Sequence, residues 1–227
     1  QTPDGTSQSQ NNSWQPGEDE IRAWSQPATI RIQHVEAERL TPLFDQLFEE
    51  SAGLRHSEDA GASGLIFARQ MFFERLPIPA DDYDKWVRAR YAEGDVYVPP
   101  MTEERLDDVD RKAGSIDNLE AVQPLNTAKR ILERVRERLS QNNPLFNALQ
   151  ARISRAKAKD NQLAIFAESP KNAQLLKETL VNYDILTEND TQISVVSPNN
   201  ARYIGVCDEL IIFGSLHPQH AGYYVHP

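Results

Sequence analysis

Five consecutive apolar residues at 163–167 (LAIFA) constrain this chain more than any other feature. A run without polar alternation suits a strand covered on both faces, and such strands belong to parallel sheets. The run stops at Glu168-Ser169-Pro170, and an amphipathic stretch follows through Ala173, Leu175, Leu176, Thr179 and Leu180. Two more short apolar runs come later, 193–196 (ISVV) and 210–213 (LIIF). They end at Ser197-Pro198-Asn199-Asn200 and at Gly214-Ser215. Strand, polar turn, helix, strand is the grammar of right-handed βαβ units. The expected class is α/β, with a mainly parallel sheet and flanking helices in residues 120–227.

The region before it reads differently. Residues 1–28 are rich in Gln, Asn, Ser and Pro. They offer little apolar surface to offset ordering entropy, so a flexible leader is expected, with Trp14 and Trp24 as its docking points. Residues 29–35 (TIRIQHV) alternate Ile30, Ile32 and His34 and predict a short strand. Thr41-Pro42 predicts a helix start with Thr41 as its cap, and Leu43, Phe44, Leu47 and Phe48 as its apolar face. Residues 51–63 read as loop, with His56 among polar neighbours. Residues 64–76 (GLIFARQMFFERL) read equally as helix or strand. Residues 81–92 predict a helix anchored by Trp86, Val87 and Tyr91, and 96–98 a short strand before Pro99-Pro100. Residues 29–100 are thus expected to be a smaller α+β region.

The charged stretch 101–119 reads as a linker or an exposed helix. Its Asp107, Asp108 and Asp110 read as solvated charge rather than metal ligands, because Arg111 and Lys112 adjoin them. Two amphipathic helices follow. One, after Pro124, carries Leu125, Ala128, Ile131, Leu132, Val135 and Leu139 on one stripe. The next begins at Pro144 and carries Leu145, Phe146, Leu149, Ile153 and Ala156.

A chain of 227 residues can bury a core without disulfides or metals. Its one cysteine, Cys207, excludes an intrachain disulfide and any multi-cysteine zinc site. With a distant histidine Cys207 is a conceivable nucleophile, but its place beside an apolar strand favours an inert thiol. No run of about 18 apolar residues exists, so no membrane partner and a cytoplasmic setting are expected. The lack of an initiator Met and the end close behind a strand predict a segment of a larger protein.

The net charge of −10 argues against a uniformly basic, nucleic-acid-coating surface. The charge is unevenly placed, however. Residues 129–159 hold nine basic side chains against Glu133 and Glu137, a net +7, while the rest holds 15 basic and 32 acidic, a net −17. A band containing Arg130, Arg134, Arg138, Arg152 and Arg155 suits either a solvated helix face or a track for phosphates. In α/β sheets ligands bind at the carboxyl ends of the strands. Ser169, Lys171, Ser197 and Asn199 fall there and can hold phosphate oxygens, or simply cap and turn the chain.

Together the segments LAIFAESPKNAQLLKETL and ISVVSPNNARYIGVCDELIIFG resemble the second RecA-like lobe of superfamily one and two helicases, over about residues 120–216. The resemblance implies a RecA-like α/β lobe. It implies that Ser169 and Lys171 contact a nucleic-acid backbone, that Ser197 lies near it, and that Arg202 lies near a lobe interface. Tyr203 stands where that family has a glycine, and neither the Walker A lysine nor the downstream arginine-finger motif is present. The implied role is a nucleic-acid-associated module of a larger ATP-dependent assembly, with other domains or subunits as partners. It would hold no cofactor alone, and ATP with Mg only together with a partner lobe. Two other classes stay open: a protein–protein scaffold built on a degenerate α/β lobe, and a small-ligand or nucleotide-binding enzyme. His217, His220 and His226 have a spacing that imidazole ligands of zinc can adopt, but loop histidines explain it as well.

Overall fold

In a computed structural model the chain is described at residues 35, 37–56, 60–117, 119–200 and 207–213. Helices α1 (Thr41–His56), α2 (Ala60–Glu74), α3 (Ala80–Ala92), α4 (Thr102–Gly114), α5 (Leu119–Gln141) and α6 (Pro144–Ala158) come first. Strand β1 (Leu163–Phe166), helix α7 (Pro170–Asn182), β2 (Ile193–Val196) and β3 (Glu209–Ile212) complete the order. The class is mixed α/β, mostly helical, with a small parallel sheet. The expected leader, the strand at 29–35 with His34, and residues Arg202, Gly214, Ser215, His217, His220 and His226 lie outside the described residues.

The sheet follows the expected grammar. Its order is β2-β1-β3, and both pairings are parallel. Ile165 stands beside Val195 on one side and Ile211 on the other. The central strand is buried along its whole length, which is why its sequence shows no polar alternation. Alternate residues point to opposite faces. Leu163, Ile165 and Ile193 join the main helical core, whereas Ala164, Phe166 and Val196 are buried outside that cluster.

Helix α5 is the axis of the helical part. Leu125, Ala128, Ile131, Leu132, Val135 and Leu139 are all buried, as their spacing predicts. Their stripe receives α1, α2, α3 and α4. On α6, Phe146, Leu149, Ile153 and Ala156 are buried, and Leu145 is partly so.

Three expectations require correction. Residues 51–56 and 60–63 are helical rather than loop. Ser51 and Ser63 are buried there, with hydroxyls 2.9 Å apart, and the Ser63 hydroxyl donates to the Ser51 carbonyl at 3.0 Å. Polar composition hid two helices whose serines satisfy each other. Residues 96–98 form no strand, so the described residues of 35–100 are helices and connections only. Residues 102–114, read as linker or exposed helix, pack Leu106 and Val109 into the core. Smaller shifts are local. Thr41 is the first helical residue and donates its hydroxyl to the Ala37 carbonyl, while Phe48 and Tyr91 are exposed.

Helix α7 runs antiparallel to the 82–95 stretch and zips to it by polar contacts. The Tyr183 hydroxyl donates to Asp82 at 2.6 Å, a bond that holds the phenol pKa up at about 12. Trp86 Nε1 and Arg90 donate to the two oxygens of Glu178 at 2.7 and 2.5 Å. Lys171 donates to Asp95. This zipper sets the sheet against the helices.

Asn143 joins two connections. Its side-chain oxygen accepts from the Phe146 N–H at 3.1 Å and caps α6. Its Nδ2 donates to the Leu76 and Ile78 carbonyls at 2.8 and 2.7 Å. Asn143→Ala is expected to cost about 2–4 kcal/mol by urea denaturation, from a lost cap plus two buried carbonyls without a donor. Asn143→Asp is the sharper variant. Asp caps as well as Asn, so a neutral effect would show that the bonds to Leu76 and Ile78 contribute nothing.

Candidate nucleic-acid interface

The basic band divides in two once the fold is in place. Lys129 and Arg136 lie seven residues apart, hence on the same edge of α5, and that edge faces α4. Lys129 pairs with Asp110, and with Glu133 at 3.5 Å. Arg136 donates to the Thr102 hydroxyl at 2.6 Å, to Asp84 at 3.0 Å and to Glu103 at 3.2 Å. Asp84 is only 1% exposed and also accepts from the Thr102 N–H at 2.7 Å and from its hydroxyl. On α6 and just beyond, Lys157 pairs with Asp190 at 2.8 Å and donates to the Ile185 carbonyl at 2.8 Å. Arg152 reaches Glu209 at 3.4 Å. These four cations are structural.

Arg130, Arg134 and Arg138 behave otherwise. They recur every fourth residue, so successive guanidiniums leave the helix about 6 Å apart along the axis and within an arc of about 80°. None has a carboxylate partner among the described residues. Arg130 reaches only the Asn126 carbonyl and the Thr127 hydroxyl, both at 3.4 Å. Arg130 and Arg134 are exposed, and Arg138 is half-buried. Glu137 shares this face and accepts from Gln141 at 3.4 Å. Arg155 on α6 and Lys159 just beyond its end are exposed as well.

The residues expected at the sheet end are largely consumed by local structure. Ser169 caps α7, accepting from the Asn172 N–H at 3.1 Å. Lys171 is tied to Asp95, and Glu168 meets Arg75 at 3.4 Å. Ser197 is 2% exposed, and its N–H and hydroxyl both donate to Asn200, at 2.6 and 3.1 Å. Asn199 is exposed. Without a Gly-rich turn, and with Lys171 occupied, these residues do not form a nucleotide cradle by themselves.

No protein-family model matches the chain, and no curated protein or solved structure matches it significantly. Geometry and charge therefore carry the functional reading.

The remaining chemical candidates resolve simply. Asp108 binds Arg69 and Arg111, and Asp110 binds Lys129. No group of three possible metal ligands occurs among the described residues. Burial pushes the Cys207 thiol above its ordinary pKa and the Asp208 carboxylate adds to this, which disfavours the thiolate a nucleophile needs. No described helix is long and apolar enough to cross a membrane.

What sequence reasoning missed is the 93–100 loop. Gly94, at φ +80°, turns the chain out of α3 in a conformation that favours glycine. Asp95 then accepts from Lys171 and from the Tyr97 N–H at 3.3 Å. Val96 and Tyr97 project from this tethered turn, each 83% exposed. The Lys171 hydrogen bond holds the Asp95 carboxyl below its ordinary pKa. A depressed carboxyl contributes stability above its unfolded pKa of about 3.9 and loses it as pH falls through the lowered folded value. Amide exchange in residues 94–98 is therefore expected to stay slow down to about pH 4 and to accelerate below it. Asp95→Asn should abolish that acid transition; a transition that persists in the variant contradicts the tether.

Proposed function

We propose that the chain is a nucleic-acid-associated module whose phosphate-binding surface is the outer face of α5, formed by Arg130, Arg134 and Arg138. The observation that carries this reading is the partition of the band. Four cations are spent on carboxylates of the chain, while Arg130, Arg134 and Arg138 keep a regular spacing with no carboxylate partner among the described residues. A polyanion supplies what this stripe lacks, and the acidic remainder confines binding to it. The small parallel sheet with α7 connecting β1 to β2 and packed on β2 is compatible with a helicase-type second lobe acting within a larger ATP-dependent assembly. In that reading ATP and Mg would be held jointly with a partner lobe, because the described residues at the sheet end form no phosphate cradle.

The test is binding of single- and double-stranded DNA as a function of salt. Three phosphate contacts give a slope of log K against log salt of about −2 on single strands and about −2.7 on duplex. Arg130→Glu with Arg134→Glu is expected to abolish measurable binding while leaving the unfolding midpoint nearly unchanged, since exposed unpaired side chains contribute little. Absence of binding at low salt, or a slope unaffected by the two reversals, refutes the reading.

A second reading has one observation in its favour. The exposed pair Val96 and Tyr97 on a tethered turn suits a protein-docking knob, as a scaffold would need. Stoichiometric co-purification of a protein partner lost in Tyr97→Ala, without nucleic acid, would favour it.

A further inference from the structure

Arg138 does more than end the stripe. It also lines a cleft of about 420 Å³ between the start of α1 and the α5–α6 connection. The opposite wall is Ala37, Glu38, Arg39 and Leu40, and the floor is Gln141, Asn142 and Pro144. Two arginines from parts of the chain about a hundred residues apart in sequence thus border one cavity. Arg39 is exposed and, like Arg138, has no carboxylate partner among the described residues. The Asn142 side-chain oxygen is occupied by Asn147 at 2.6 Å, which leaves its amide N–H groups as donors. Gln141 adds a second amide, one N–H of which reaches Glu137 at 3.4 Å and the other of which remains a donor. Glu38 is the one acid on the wall.

We infer that this cleft binds a phosphate monoester, the terminal phosphate of a nucleic-acid strand laid along Arg130 and Arg134. Two forked guanidiniums and neutral amide donors suit a dianion with three free oxygens. An internal phosphodiester carries one charge and two free oxygens and uses this donor set less fully. Glu38 opposes any anion, and two arginines outweigh it. The stripe leads into the cleft through Arg138, so the strand end falls where the track stops. The inference rests on the track reading above, and the two fail differently.

The experiment compares three oligonucleotides of one sequence: 5′-phosphorylated, 3′-phosphorylated, and without terminal phosphate. Affinity for the full chain is read by fluorescence anisotropy at fixed salt. One phosphorylated end is expected to bind at least about tenfold more tightly than the unphosphorylated strand, the worth of one charge-assisted contact. Arg39→Glu is expected to erase that preference, with the affinity for the unphosphorylated strand retained. Retained binding also shows that the variant is folded. Equal affinity for all three strands overturns the cleft and leaves the track standing. A preference that survives Arg39→Glu overturns the cleft as its source. Failure of all three to bind overturns both.

Discussion

Asp84 places a carboxylate where water barely reaches, and the packing of three helices follows from satisfying it. A buried charge is tolerated only when it is paired and hydrogen-bonded. Thr102 supplies its backbone N–H and hydroxyl from the first turn of α4, and Arg136 supplies a guanidinium from α5. One side chain of α3 thereby fixes where α4 starts and which edge of α5 faces it. Removing Arg136 would leave the carboxylate uncompensated, which is far costlier than losing a surface pair. The Lys129–Asp110 pair repeats the arrangement lower down the same two helices.

That constraint decides the electrostatics of the whole molecule. Because one edge of α5 is committed to Asp84, Glu103 and Asp110, its cations no longer count as free surface charge. No carboxylate among the described residues claims the outer edge, where Arg130 and Arg134 are exposed and Arg138 is half-buried. A net charge of −10 then conceals a local, regular cationic face. The sheet end is the reverse case. Ser169, Lys171 and Ser197 are chemically suited to phosphate, yet each is engaged by a neighbour in the fold.

Much of the fold was legible. The α5 stripe and the parallel sheet declare themselves through periodicity and through an unbroken apolar run, which are local signals. The missed helices lacked such signals. Residues 51–56 and 60–63 are largely small or polar, and their two helices are joined by the buried pair Ser51 and Ser63. Residues 102–114 expose mostly charge and bury only Leu106 and Val109 in their middle. Their other side chains find partners on α5, α3 and α2, which no local window contains. The candidate site was legible only as a basic band. The sequence offers nine cations in one band, but which of them are spent is set by Asp84, Asp110, Asp190 and Glu209, all outside it. The engagement of Lys171 is hidden for the same reason, since its partner Asp95 lies 76 residues away.

The division of the basic band is the centre of this account, and arginine-selective dicarbonyl labelling read by mass spectrometry addresses it directly. Arg130 and Arg134 should react fast, Arg138 more slowly, and Arg136 hardly at all in the folded chain. Addition of an oligonucleotide should protect Arg130, Arg134 and Arg138 together and leave Arg136 unchanged. Labelling of Arg136 as fast as Arg134, or an oligonucleotide that protects none of the three, would contradict it.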